Sequence, residues 1–303
     1  MSRLKAYLQL TRPANVITAI ADIWAGFAVA GGASLFFSSD TALHLSRHGI
    51  SFFWLTLATI GLYGGGVAYN DIFDAELDAI ERPERPIPSG RVSKKNAILM
   101  ASILLIGGVL AAWQVSWISG LVAFAVAGLA VLYDYWGKHQ RIFGPINMGL
   151  CRAGNLMLGV SVIPVALFLY WPLSLIPLGF VAAITMISRG EVHGKNKKAL
   201  LGGFVLYAII CVSIIFLTFR SGWQGWYVLP FLFFFGYMIF PPLLKAIRLQ
   251  QPALIGKAVK AGVISLIILN ACISAAFAGW EYALFVVLLL PLSLWLARIF
   301  AVT

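Results

Sequence analysis

Long apolar stretches separated by short polar segments make up most of the chain. Each has about the length, roughly 20 residues, that a helix needs to cross a bilayer. Ten such stretches lie near residues 14–35, 50–69, 97–114, 117–133, 144–169, 172–187, 199–218, 226–244, 259–279 and 282–300. Only the Gly279–Glu281 turn separates the last two, and a re-entrant pair or a surface helix could be among the ten. The pattern therefore predicts an all-α, multi-pass transmembrane helical bundle of nine or ten spans, with 282–300 as a possible extra C-terminal span.

The composition also indicates a membrane protein. Hydrophobic residues make up 61% of the chain, charged residues make up 11%, and the mean hydropathy is +0.91. These values exclude an ordinary soluble domain. The first apolar stretch follows Arg12-Pro13 and is long enough to span the bilayer, so we expect no cleavable signal peptide.

Basic residues fall on one side of the ten-span topology. With the N-terminus inside, only Arg47 and Arg220 among the 22 lysines and arginines lie in outer segments. An excess of positive charge is typical of cytoplasmic segments. We therefore predict an integral membrane protein with both termini in the cytoplasm, in the inner membrane if the source is bacterial. The net charge of +11 follows largely from this topology and requires no nucleic-acid partner.

An acidic run follows the second apolar stretch directly. Asn70, Asp74 and Asp78 are spaced i, i+4 and i+8, so on a helix they form a column, and Asp71 lies at its edge. Carboxylates at this spacing repel one another unless a cation lies between them, and oxygen ligands suit Mg²⁺, which typically also binds phosphate. The run predicts a magnesium and phosphate site on the cytoplasmic side. The alternative is a solvated helix at the membrane surface whose acidic side chains hold no ligand.

Basic residues follow the acidic run at once. They are Arg82, Arg85 and Arg91, in a loop with three prolines and a glycine. Beside clustered carboxylates, such cations suit an anionic ligand. Each of them could instead be topological charge that pairs with Glu81 or Glu84.

A second polar segment, residues 133–141, lies between the fourth and fifth stretches. It contains Tyr133, Lys138 and Arg141. The two cations fit either a phosphate contact or positive-inside anchoring.

Three polar residues lie inside apolar stretches. Arg152 and Asn155 are three positions apart, which places them on one helical face. Asp22 in the first stretch should face the bundle interior, because exposure of a carboxylate to lipid is costly. There it either lines a cavity or bonds a neighbouring helix.

As they stand, residues 70–91 resemble the first signature of the UbiA superfamily of intramembrane prenyltransferases. That signature is an Asn-Asp-x-x-Asp-x-x-x-Asp run followed by Arg-Pro-x-Arg-Pro-Ile-Pro-Ser-Gly-Arg, and this chain carries both parts. The resemblance extends to Arg12-Pro13 before the first span and to Tyr133, Lys138 and Gly144-Pro145 in the middle loop. It implies a single UbiA-like prenyltransferase domain over residues 1–303.

The resemblance implies Mg²⁺-dependent transfer of an isoprenoid group from a prenyl diphosphate to a small aromatic or lipid-like acceptor. The leaving diphosphate would be stabilised by metal and basic side chains, and the allylic carbocation would form in a water-poor cavity with aromatic walls. The implied metal ligands are Asn70, Asp71, Asp74, Asp78 and Glu191. The implied catalytic residues are Asp71, Asp74, Asp78 and Lys138. The implied substrate-binding residues are Asn70, Arg82, Arg85, Tyr133, Arg152, Asn155, Ser188, Arg189 and Lys195.

The chain departs from the family pattern in the second acidic motif. Members of the family usually carry an Asp-x-x-Asp-x-x-x-Asp run before the seventh span, and here Ser188, Glu191 and Lys195 occupy those positions. This departure predicts that one of two metals is weakly held or absent, with Lys195 and Arg189 placed against the phosphates instead. The string SRGEVHGK is also similar to the UbiA-like subgroup called EboC.

Several functions remain open on sequence alone. The same scaffold could make an ether lipid or act on a chlorin or quinone precursor. A catalytically degenerate transporter or lipid-binding membrane protein is the alternative from another class, and the altered second motif favours it. A transporter would be expected to place polar residues near the bilayer midplane. Here they cluster at the inner mouth, which favours the enzyme, whose acceptor, prenyl chain length and oligomeric state the sequence leaves open.

Overall fold

The structure is a computed structural model that describes residues 3–32, 42–190, 194, 196–220 and 222–300. These residues form helices and contain no strand, so the predicted all-α class is confirmed. The α-helices are α1 (Arg3–Thr11), α2 (Pro13–Val29), α3 (Ala42–Phe73), α4 (Ala75–Glu81), α5 (Lys94–Trp113), α6 (Trp117–Tyr135), α7 (Phe143–Val160), α8 (Pro164–Tyr170), α9 (Leu175–Ser188), α10 (Lys197–Arg220), α11 (Val228–Leu249), α12 (Pro252–Val287) and α13 (Leu289–Phe300). Short 3₁₀-helices span Gly137–His139, Trp171–Ser174 and Gly222–Tyr227.

Among the described residues, 7 helical segments are long and apolar enough to cross a membrane. They are His48–Phe73, Lys94–Trp113, Trp117–Tyr135, Pro164–Ser188, Lys197–Phe219, Gly225–Leu249 and Pro252–Phe300. The last has 49 residues, which at about 1.5 Å per residue is enough for two crossings. With the shorter α2 and α7, these segments are compatible with the nine or ten predicted spans.

Two predicted boundaries differ from the structure. The expected span 144–169 is divided, because α7 ends at Val160 and a new helix begins at Pro164. Proline suits a first helical position, since its fixed φ is helical and its missing N–H needs no partner there. The turn expected at Gly279–Glu281 is a kink at Gly279 alone, where φ is 85°.

Helix α2 lies at the centre of the described bundle. Each of its residues except Pro13, Asn15 and Trp24 is buried, and it packs against α3, α7, α12 and α13. A helix that is enclosed on all sides must satisfy its polar side chains inside the protein. Thr18 and Asp22 on this helix are both 0% exposed, so each must find its partners on neighbouring helices or on α2 itself.

The outer surface of the bundle is apolar. Phe168 and Phe233, for example, are 82% and 79% exposed. A soluble monomer rarely exposes contiguous apolar surface on this scale, whereas lipid chains cover it without cost. The chain is therefore an integral membrane protein, and the cytoplasmic location of both termini stays a prediction.

Glycines allow two pairs of helices to approach closely. Gly26 on α2 faces Gly159 on α7, and Gly61 on α3 faces Gly108 on α5. A Cβ atom at Gly26 would overlap the carbonyl oxygen of Leu156. Small residues at helix contacts bring backbones together in membrane proteins, so these glycines fix the spacing of α2, α3, α5 and α7.

Adjacent glycines on α5 provide a matched test of this packing. A Cβ at Gly108 would lie 2.8 Å from the carbonyl oxygen of Ala58, whereas a Cβ at Gly107 would meet nothing within 4 Å. Gly108→Ala should therefore destabilise the protein by about 1–3 kcal/mol, while Gly107→Ala should be neutral or slightly stabilising. Thermal unfolding in detergent measures both variants. Equal shifts of the two midpoints would contradict the packing argument.

Candidate active site

The acidic run lies where α3 gives way to α4. Asn70 and Asp71 belong to the last turn of α3, Asp74 lies at the junction, and Asp78 belongs to α4. The helix is interrupted at Asp74, unlike the continuous helix assumed for the column. Backbone hydrogen bonds from Asp74 to Asn70 (3.0 Å) and from Asp78 to Asp74 (2.8 Å) nevertheless keep helical spacing across the junction. The expected column is therefore preserved.

Each aspartate of the run has a basic partner. Arg12 Nη2 lies 2.7 Å from Asp71 Oδ1, and Lys138 Nζ forms an ion pair with Asp74. Arg85 Nη1 lies 2.7 Å from Asp78 Oδ2 and 3.4 Å from Asp71 Oδ1. Asp71 and Asp78 are 6% and 4% exposed, so neither could remain unpaired at low cost. We define these six side chains as the ion-pair cluster.

The loop after α4 holds Arg85 against the acidic run. Arg91 donates from Nη1 to Gln9 Oε1 on α1 (3.0 Å) and from Nη2 to the carbonyl oxygen of Glu84. Ser89 Oγ donates to the carbonyl oxygen of Arg85 at 2.6 Å. Arg91 thus supports the loop, while Arg82 is exposed and forms no ion pair among the described residues. The structure gives Arg85 a place in the cluster and does not bring Arg82 into it.

Asn70 contacts a further carboxylate beside the ion-pair cluster. Its Nδ2 donates to Asp134 Oδ1 at 2.8 Å, and Asp134, near the end of α6, is 4% exposed. Neither Asp134 nor Arg12 is among the site residues predicted from the sequence. The available signal was position: each is a charged residue at the end of an apolar segment, and Arg12 also belongs to the Arg12-Pro13 pair.

A cavity of about 250 Å³ extends from this polar region into the bundle. Most of its wall is apolar, and Tyr63 and Tyr133 contribute aromatic rings. The lining residues are Arg12, Leu62, Tyr63, Gly66, Val67, Asn70, Val126, Ala130, Tyr133, Asp134, Met148, Cys151, Arg152 and Asn155. The aspartates of the acidic run are not among them, and they adjoin the cavity through Arg12 and Asn70. The ion-pair cluster therefore adjoins one end of a chamber whose wall is mainly apolar.

Arg152 and Asn155 lie deep in the cavity wall, away from the ion-pair cluster. Arg152 Nη2 donates to the carbonyl oxygen (3.0 Å) and the hydroxyl (3.1 Å) of Thr18, and its Nε lies 3.1 Å from Asp22 Oδ2. Asn155 donates to Asp22 Oδ2 at 3.0 Å and accepts from Thr59 Oγ1 at 2.7 Å. Asp22 does face the interior, as expected. Arg152 and Asn155 share one helical face, as predicted, and both line the cavity.

Only part of the second acidic motif lies within the described residues. Glu191 and Lys195 lie outside the described residues, so the structure gives no position for either. Ser188 Oγ donates back to the carbonyl oxygen of Thr185 at 2.9 Å. Arg189 donates to the carbonyl oxygens of Gln140 and Arg141, just after the 3₁₀-helix that carries Lys138. In this arrangement Arg189 supports the Lys138 loop rather than reaching the cavity.

We define the mouth of the cavity as the end lined by Arg12, Asn70 and Asp134. The oxygen atoms near the mouth suit a hard cation. They are carboxylate and amide oxygens, which are the ligands that Mg²⁺ prefers. Among the described residues, however, no three acidic, histidine or cysteine side chains converge on one point, and the three aspartates of the run are paired with arginine or lysine. A bound Mg²⁺ would therefore replace these basic side chains as the partner of the carboxylates.

The sequence of this chain is similar to those of known proteins. The family model described as "UbiA prenyltransferase family" matches residues 23–261. A digeranylgeranylglyceryl phosphate synthase of Methanothrix thermoacetophila is 34% identical over 233 residues, which cover 70% of this chain and 78% of that protein. A protein of the same name from Methanosarcina mazei is 32% identical over 165 residues, covering 52% of this chain and 55% of that protein. The chain thus spans about half the length of several curated relatives that it matches.

Solved structures share the arrangement of helices. One, from work on digeranylgeranylglyceryl phosphate synthase in membranes, has a TM-score of 0.65 at 21% identity and covers 92% of this chain and 99% of that chain. A UbiA homologue from Archaeoglobus fulgidus, bound to GPP and Mg²⁺, has a TM-score of 0.62 at 13% identity and covers 89% and 99%. At these identities the likeness is one of fold.

Proposed function

Because this chain belongs to the UbiA prenyltransferase family, we propose that it transfers a prenyl group from a prenyl diphosphate to a small acceptor bound in the cavity. The observation that carries the proposal is the ion-pair cluster beside a mostly apolar chamber. A diphosphate needs charge at one end of the site, and an allylic chain needs apolar surface beyond it. We extend the proposal to a single domain over residues 1–303, and the narrower EboC similarity stays a prediction.

The acidic run is the proposed metal site. Asn70, Asp71, Asp74 and Asp78 offer oxygen atoms to Mg²⁺, which when bound supplies positive charge to the diphosphate oxygens. A solved homologue binds Mg²⁺ together with GPP, which supports a requirement for metal in this chain. Glu191 remains a proposed ligand for a second ion.

We propose that the basic members of the ion-pair cluster exchange their carboxylate partners for diphosphate oxygens when the prenyl diphosphate binds. Arg12, Arg85 and Lys138 neutralise the carboxylates in the described state. With their carboxylate partners engaged elsewhere, these cations would be available to donate to diphosphate oxygens. They would stabilise the charge that develops on the leaving group, as preorganised donors do in other transfer reactions.

The cavity walls are proposed to protect the reacting carbon. Leu62, Val67, Val126 and Ala130 leave little for water to bind, while the rings of Tyr63 and Tyr133 can face a developing carbocation. The acceptor would then form a bond to this carbon, whose bond to the diphosphate oxygen is broken, and the proton that the acceptor loses would pass to the departing diphosphate. The prenyl chain would extend between helices toward lipid.

The acceptor is proposed only as a class, a small aromatic or lipid-like molecule. The relatives' name includes a glyceryl phosphate, so a lipid acceptor of that kind belongs among the compounds to be tested. The alternative is a degenerate family member that binds or transports lipid without transferring a prenyl group. The altered residues at Ser188 and Lys195 favour this alternative.

Diphosphate release by the purified chain in nanodiscs tests the proposal. Dimethylallyl, geranyl and geranylgeranyl diphosphates serve as donors, and phenols, quinols and glycerol 1-phosphate derivatives serve as acceptors. We expect release that requires both Mg²⁺ and an acceptor, and that stops with EDTA. Mg²⁺-dependent donor binding without release from any donor would instead support the lipid-binding alternative.

A further inference from the structure

The deep end of the cavity differs in chemistry from the mouth. Tyr63 precedes Asn70 by two helical turns on α3, about 10 Å at 1.5 Å per residue, and α7 carries Arg152 and Asn155 to the same depth. We define this inner end by Leu62, Tyr63, Val126, Arg152 and Asn155. We propose that it binds the acceptor, and that Arg152 donates a hydrogen bond there to a neutral oxygen of the acceptor, a carbonyl or a hydroxyl. This inference rests on the proposed prenyl transfer and adds the class of acceptor.

A buried network fixes the position of Arg152. Nη2 is held by Thr18, and Nε lies beside Asp22 without the alignment of a hydrogen bond. Asp22 is held in turn by Asn155 and by Asn270 Nδ2, which donates to its Oδ1 at 2.7 Å. The guanidinium carbon also lies 5.5 Å from the centre of the Tyr63 ring. Four helices (α2, α3, α7 and α12) therefore hold one cation at the cavity wall.

The Nη1 nitrogen of this guanidinium has neither a hydrogen bond nor an ion pair among the described residues. Arg152 is 4% exposed. Both N–H groups of the Asn155 amide are engaged, because its nitrogen donates to Ala19 and Asp22, and its oxygen accepts from Thr59. A buried donor without a partner destabilises the site that holds it. The inner end thus contains a hydrogen-bond donor, Nη1 of Arg152. An acceptor oxygen can pair with this donor, whereas a prenyl chain cannot.

The charge balance favours a neutral oxygen. Arg12, Asp134 and Arg152 are the charged residues that line the cavity, and the first two belong to the mouth. At the inner end Asp22 already neutralises Arg152, with 3.1 Å between Nε and Oδ2. A carboxylate or phosphate placed there would lose its hydration beside a cation that Asp22 already neutralises, and so would gain no net positive partner. A carbonyl or hydroxyl oxygen accepts the hydrogen bond without that cost.

Two phenols that differ in one group test this inference. The probes are 4-hydroxyacetophenone, with a neutral carbonyl, and 4-hydroxybenzoate, with a carboxylate, each titrated calorimetrically into the full chain in nanodiscs. The unaltered protein should bind the ketone about tenfold more tightly. Arg152→Met should weaken ketone binding about tenfold. Asp22→Asn should reverse the preference, because Arg152 then carries an unneutralised charge.

Controls separate a role in recognition from a role in folding. Lys95→Met removes an exposed cation at the start of α5 and should change neither affinity. Unfolding midpoints identify misfolded variants, and Arg152→Lys, which retains a donor and a charge, should recover part of the ketone binding. A reversal of preference in Asp22→Asn is not expected of a residue that only supports the fold.

The following results would overturn the inference. They are tighter binding of the benzoate by the unaltered protein, equal ketone affinity in a folded Arg152→Met variant, or no binding of either probe. Binding of geranyl diphosphate with Mg²⁺, measured in parallel, tests the proposed function separately. If the unaltered protein failed to bind geranyl diphosphate but still preferred the ketone, prenyl transfer would be contradicted. The binding site at the inner end would then stand without it.

Discussion

Asp71→Asn is expected to lower Mg²⁺-dependent diphosphate release by about a thousandfold or more. Asp71 is the member of the acidic run that two arginines approach, Arg12 at 2.7 Å and Arg85 at 3.4 Å. An amide at this position would bind Mg²⁺ weakly and would also lose its charge interaction with both cations. Steady-state release from geranyl diphosphate, measured against Mg²⁺ concentration, should show a lower maximal rate and a higher metal requirement.

Glu76 provides the matched control for Asp71. It lies in α4 between Asp74 and Asp78 but is exposed, so Glu76→Gln removes one carboxylate from the same segment without touching the ion-pair cluster. Its rate should stay within about twofold of the unaltered protein. Comparable losses in both variants would mean that the net charge of the segment matters, and that a specific metal site does not.

Lys138→Met is expected to separate metal binding from turnover. Lys138 pairs with Asp74 in the described state, so removing the amine frees a carboxylate for the cation. Binding of Mn²⁺ without donor, followed by electron paramagnetic resonance, should therefore become tighter. Diphosphate release should still fall by about a hundredfold, because the leaving group loses a positive partner.

Arg141→Met is the control for Lys138. It removes an exposed cation three residues along the same loop, and it should change neither Mn²⁺ affinity nor rate. If Lys138→Met weakened Mn²⁺ binding and turnover together, the proposed exchange of partners would be wrong. Lys138 would then be needed to hold the acidic run in place.

Local sequence was sufficient to predict most helices but not the break inside 144–169. The apolar pattern continues through Ser161, Val162 and Ile163, so hydropathy alone gives no sign that α7 has ended. Pro164 was the only local signal. The Gly279 kink was closer to expectation, because glycine readily adopts the positive φ found there.

The sequence by itself determined the membrane bundle and the acidic run. The length of an apolar stretch and the i, i+4, i+8 spacing are properties of consecutive residues. They therefore do not depend on how the rest of the chain folds. The motif likewise identifies Asp71, Asp74, Asp78 and Arg85 from the order of residues alone.

The tertiary structure decided which charges meet. Arg12 pairs with Asp71 across 59 positions, Asn70 bonds Asp134 across 64, and Asn270 reaches Asp22 across 248. No local rule fixes such pairs, because each depends on which helices pack together and on glycine contacts such as the one between α2 and α7. Burial then makes those partners obligatory, since a charged or polar group enclosed in a membrane bundle is stable only when another group satisfies it.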